Sequence, residues 1–198
     1  MKVRIHYSFL ILLLLSLFTS QFIPFLIFFI SILLHELSHL LWAKKFNQKI
    51  VSITITALGG IIDISFRKIS KFKLLIIQFA GTLTNGIIYL IVYNGPSFKY
   101  QEMILNFNLI LIIFNSLPIF PLDGYLILTN ILSMFCKFQT EYMISLIISF
   151  FCLIVLSFYA FKLLSIALII IVIYLLYKNI MLSFQRDYYL LQRIIQRN

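Results

Sequence analysis

Apolar residues run along this chain in long blocks, interrupted at a few places by polar clusters. Two kinds of periodicity are legible. Blocks at about Ile5–Phe18, Phe22–Phe46, Leu74–Tyr93, Glu102–Phe135, Tyr142–Phe161 and Leu163–Phe184 are apolar all round, as a helix in lipid must be. Between the second and third, the texture changes. Val51-Ser52-Ile53-Thr54-Ile55-Thr56 alternates with period two, Gly59-Gly60 interrupts, and Ile61-Ile62-Asp63-Ile64-Ser65-Phe66 resumes, which predicts two short strands about a glycine pair. Asn94-Gly95-Pro96 is turn chemistry closing the third block. In the fourth, Pro118 and Pro121 remove two backbone donors, so the helix is expected to break there.

The pattern predicts an α-helical polytopic membrane protein of about six transmembrane helices, with a small membrane-associated β-hairpin or sheet between the second and third. Residues 1–20 form a first transmembrane segment and 21–136 a three-span core with a strand insertion at about 50–66. Residues 137–184 hold two further helices, and 185–198 a basic amphipathic tail, apolar at Phe184, Tyr188, Leu191 and Ile195. A linker to a further domain is the rival reading of that tail. Lys2 and Arg4 before an apolar stretch imitate a signal peptide, but no small-x-small cleavage site follows, so a retained span is expected.

Composition agrees. Hydrophobic residues make up 62% and charged residues 11% of 198, with a mean hydropathy of +1.06, which leaves no room for a separate soluble domain. The net charge of +10 belongs to loops rather than to a nucleic-acid surface, since no basic stripe with interleaved aromatics lies outside the spans. Nucleic-acid binding is therefore excluded. With six crossings and a cytoplasmic start, all 16 Lys and Arg except Lys99 and Lys162 fall on the inner side. That predicts a multi-pass protein of the cell membrane with both termini cytoplasmic. Cys136 and Cys152 suggest neither a disulfide framework nor a metal site.

Charge inside a span is expensive and marks function by default. Of six acids, only Glu36 and Asp123 fall deep within predicted spans, and two of three His flank Glu36 in His35-Glu36-Leu37-Ser38-His39. His-Glu-x-x-His on a helix places two imidazoles one turn apart on one face, where both reach one Zn²⁺, with the Glu beside them able to take a proton from water. A catalytic zinc site usually has three protein ligands. Asp123, delivered by the proline break and descending to the depth of His35 and His39, is the candidate third. Its plainer alternative is an N-cap for the helix that follows. Asn115 and Asn85 are candidates to position substrate, against the simpler reading of interhelical hydrogen bonds. Gly59 and Gly60 either turn a strand or admit a substrate strand by edge pairing. Asp63 reads as a strand-face residue and His6 as a surface residue. This chemistry points to intramembrane peptide hydrolysis of a membrane-associated protein. The alternative is a non-catalytic membrane protein, either an inactive relative of such an enzyme or a metal transporter.

Together, His35-Glu36-Leu37-Ser38-His39 and Asn115-Ser116-Leu117-Pro118-Ile119-Phe120-Pro121-Leu122-Asp123-Gly124 resemble the site-2 protease family of intramembrane zinc metalloproteases. The family's paired pattern is His-Glu-x-x-His and Asn-x-x-Pro-x-x-Pro-x-Asp-Gly, and both match in full. Gly59-Gly60 and Ala80-Gly81 with Asn85 also resemble family features, whereas Thr82 stands where many members have proline. The resemblance covers about residues 20–135. It implies His35, His39 and Asp123 as zinc ligands, Glu36 as catalytic base, and Asn115, Asn85, Gly59, Gly60 and Pro118 around the substrate. Six spans without an inserted domain most resemble the stage IV sporulation protein FB group. That likeness implies a sporulation sigma-factor precursor as substrate and inhibitory or regulatory membrane partners.

Overall fold

A computed structural model describes residues 2–5, 7–19, 21–56, 59–65 and 69–184. His6 and the predicted tail at 185–198 lie outside the described residues. The chain divides into two compact units, Met1–Phe114 and Asn115–Asn198.

In the first unit, β1 (Lys2–Ile5) precedes α1 (Tyr7–Phe18), α2 (Phe22–Lys45), β2 (Lys49–Thr56), β3 (Gly59–Ser65), α3 (Lys71–Asn94) and most of α4 (Gln101–Ser116). The strands form one sheet in the order β1-β2-β3, with β1 parallel to β2 and β2 antiparallel to β3. The first segment therefore differs from the expected span. Lys2-Val3-Arg4-Ile5 alternates charge and β-branched residue, suits a strand, and pairs with Ser52–Ile55. What remains, α1, is 12 residues, about 18 Å at 1.5 Å per residue and short of a bilayer core.

Helix ends follow from local chemistry. Pro24 sits in the first turn of α2, where its missing N–H costs nothing. The same helix closes on Asn47 at φ 56, one of the few residues besides glycine to accept that conformation. Asn47 N–H donates to Lys44 O and Gln48 N–H to Ala43 O, both at 2.9 Å, satisfying the orphan carbonyls as a Schellman motif does. Ser70 caps α3, its Oγ accepting from Lys73 N–H at 3.3 Å. α2 and α3 pack together along Ala43, Ala80 and Gly81, all buried. Asn108 of α4 donates to Ser31 Oγ of α2 at 3.3 Å.

The second unit begins at the proline break. After α4 stops at Ser116, residues 117–122 run without helix, and α5 (Asp123–Phe135), α6 (Phe138–Lys162) and α7 (Ile166–Phe184) follow. The break is held by its own bonds, Ile119 N–H to Leu117 O and Leu122 N–H to Ile119 O, each 2.8 Å. It is held from outside too. Ser149 Oγ of α6 accepts from Phe120 N–H at 3.1 Å, and Asn179 Nδ2 of α7 donates to Phe120 O at 2.8 Å. Ser149 Oγ–H then donates to Asn179 Oδ1 at 2.5 Å. Non-helical backbone at membrane depth is tolerated only where protein supplies such partners. Gly124 is obligatory at the restart, because a Cβ there would strike the carbonyls of Ser116 and Leu117.

Among the described residues, four helices, α2, α3, α6 and α7, are long and apolar enough to cross a membrane. The sequence count of six differs because α1 is short and the prolines split the fourth block into helices of 16 and 13 residues.

Candidate metal centre

α2 presents His35 and His39 on its buried face, at 4% and 9% exposure. Glu36, about 100° further round the helix, is half-buried. Ser38, also buried, spends its hydroxyl on His35 O within the helix at 2.6 Å. The face that holds the imidazoles meets residues of α3 spaced four apart, Ile77, Gly81 and Asn85.

Each contact has a chemical consequence. His39 Nδ1 lies 2.6 Å from Ile77 O. A carbonyl only accepts, so Nδ1 carries the proton and Nε2 of the neutral ring keeps its lone pair. His35 Nδ1 lies 3.1 Å from the Asn85 side-chain amide. Between those two anchors, Gly81 leaves the space the rings occupy, since a Cβ there would collide with Nε2 of both His35 and His39. The two Nε2 atoms are 3.3 Å apart. Two Zn–N bonds of about 2.0–2.1 Å at a tetrahedral angle separate their nitrogens by about 3.3–3.4 Å. The pair thus has the bite of a tetrahedral zinc site.

Asp123 is the first residue of α5 and is half-buried. Leu122 stands at the N-cap position, one residue before Asp123. His35 and His39 supply two nitrogen donors within the first unit, and Asp123 is a carboxylate of the second. Two imidazoles and a carboxylate are a donor set that zinc accepts in catalytic sites.

The other expected residues belong to several elements. Asn115 is in the last turn of α4 and Pro118 in the break, both half-buried. Gly59 and Gly60 start β3, opposite Thr56 and Ile55 of β2. Asn85 is fully buried at 0% exposure, with its reach directed at His35. Sequence reasoning missed Ile77, which acts through its carbonyl and has no side-chain signature.

The chain is similar to known proteins. The profile of Peptidase family M50 matches residues 23–98, which contain α2, the β2–β3 pair and α3. A zinc metalloprotease of Methanocaldococcus jannaschii is 40% identical over 119 residues, covering 55% of this chain. The match spans 34% of that relative's own length. Among solved structures, the site-2 protease from Methanocaldococcus jannaschii superposes with a TM-score of 0.68 at 25% identity, covering 90% of this chain and 89% of that one. Together these matches support the M50, site-2 protease family. With the four apolar helices among the described residues, they support a membrane protein.

Proposed function

We propose that this chain is a zinc-dependent intramembrane endopeptidase that hydrolyses a peptide bond of a membrane-associated protein near the cytoplasmic face. The observation that carries the reading is the 3.3 Å separation of His35 and His39 Nε2 atoms in a buried cradle emptied by Gly81. His35, His39 and Asp123 hold the metal. When bound, zinc supplies a Lewis acid that acidifies water and polarises a carbonyl.

Glu36 is the general base. It takes the proton of the attacking water and returns it to the leaving amine. Asn115 donates from its amide to the scissile carbonyl, and Pro118 keeps the backbone around it non-helical. Gly59 and Gly60 pair with an extended substrate segment, since a helical one hides its carbonyls in its own hydrogen bonds. The sigma-factor precursor, and inhibitory membrane proteins as regulators, follow from the likeness to the stage IV sporulation protein FB group. That precursor is the first substrate to try.

The test is co-expression with a tagged substrate, comparing the wild type with Glu36→Gln. Cleavage is expected from the wild type alone, with equal zinc content in both purified proteins. Cleavage by Glu36→Gln would sink the role of the base, and a wild type without zinc would sink the metalloprotease itself.

A further inference from the structure

Asn85 is fully buried, its amide nitrogen lies 3.1 Å from His35 Nδ1, and its Oδ1 is buried with no hydrogen-bond partner. A carboxamide has nearly the same shape when turned end for end, so its neighbours decide which end faces the ring. The two orientations have opposite consequences for metal binding.

With the N–H end toward the ring, Nδ1 of His35 accepts and its Nε2 carries the proton. That proton points at His39 Nε2, 3.3 Å away, which holds a lone pair because His39 Nδ1–H is committed to Ile77 O. The imidazoles then bond to each other, and His35 has no lone pair for a metal. With the oxygen end toward the ring, His35 Nδ1–H donates to Oδ1, and the amide N–H₂ takes the buried place that Oδ1 held. Both Nε2 lone pairs then converge at a zinc bite in a site with little water to screen them, an arrangement that a cation relieves.

We infer that Asn85 is a positioning residue for the metal, its amide oxygen accepting from His35 Nδ1–H and thereby turning the His35 Nε2 lone pair toward zinc. The inference rests on the metalloprotease reading and assigns Asn85 to a ligand rather than to substrate. The face of α3 is then a template with matched ends. Ile77 O sets the tautomer of His39, Asn85 Oδ1 sets that of His35, and Gly81 between them leaves room for the rings. Hydrogen bonds to the far nitrogen of a ligating His fix its orientation and raise its basicity, and losing one typically costs 10–100-fold in metal affinity.

An acceptor-only replacement separates this role from simple packing. The full chain would be purified in detergent as wild type, Asn85→Leu and Asn85→Asp, and zinc affinity measured by competition with a chromophoric chelator. Asn85→Leu is expected to weaken zinc about 10–100-fold. Asn85→Asp, which accepts but cannot donate, is expected to bind zinc at least as tightly as wild type. Equal affinity of wild type and Asn85→Leu, or an Asn85→Asp as weak as Asn85→Leu, would overturn the inference. Should Asn85→Leu fail to fold, Asn85→Asp decides alone: zinc retained supports the acceptor and zinc lost removes it. A wild type that takes up no zinc overturns the metalloprotease reading and this inference with it. Normal zinc in the wild type beside a failed prediction for the variants overturns this inference only.

Discussion

A single methyl group added at position 81 falls against Nε2 of both His35 and His39, whereas the same group at Gly86, five residues further along α3, meets nothing within 4 Å. The two glycines make a paired experiment on one helix. Gly86→Ala is expected to leave zinc binding unchanged and to stabilise α3 by up to about 1 kcal/mol, the usual gain of Ala over Gly in a helix interior. Gly81→Ala gains the same propensity, yet its methyl displaces both rings, so zinc affinity is expected to fall at least about 10-fold. Equal zinc affinity in the two variants, measured by chelator competition, would show that the rings do not need the space at 81. At this scale the His-Glu-x-x-His positions were legible because i and i+4 share a helix face whatever surrounds them. The burial of Asn85 against His35 was not, because fifty residues separate them.

At the scale of elements, the apolar blocks became helices and the proline break became a break, for reasons already local to the sequence. What α6 and α7 contribute was hidden. Legible in the sequence only as two further apolar helices, they hold Phe120 N–H and O through Ser149 and Asn179, three residues before Asp123. Asn179→Leu leaves Phe120 O and Ser149 without their shared partner. Stranding a buried polar group costs about 1–3 kcal/mol. A lower thermal midpoint in detergent is therefore expected, and an unchanged midpoint would count against the clamp. Stability can also be gained. Leu164, in the turn between α6 and α7, has φ 49 and is 82% exposed. A left-handed conformation costs an ordinary L-residue roughly 1–2 kcal/mol, and Gly avoids that cost. Leu164→Gly is expected to raise the midpoint, since little packing is lost.

At the scale of the whole molecule, the proposed topology places Lys49, which precedes α3 in the chain, inside and Lys99, which follows it, outside. Single cysteines at 49 and 99 in a chain lacking Cys136 and Cys152 should label from opposite faces with a membrane-impermeant maleimide. Labelling of both from one face would remove α3 as a crossing. Zinc removal gives a second test. A strong chelator should abolish cleavage and added zinc should restore it, while activity that survives metal removal would exclude the proposed mechanism.

The sequence by itself determined the apolar helices, the period-two strand pair and the two polar motifs. Each is a property of neighbours along the chain: periodicity, turn chemistry and the high cost of charge in lipid. It also exposed the candidate ligand types. Only the tertiary structure decided that Lys2–Ile5 joins the sheet, that Gly81 is the space between two rings, and that Ile77 and Asn85 face the far nitrogens of the histidines. Those relations depend on which residues distant in the chain pack together. A carbonyl, an absent side chain and an amide acquire their roles only from what lies opposite them.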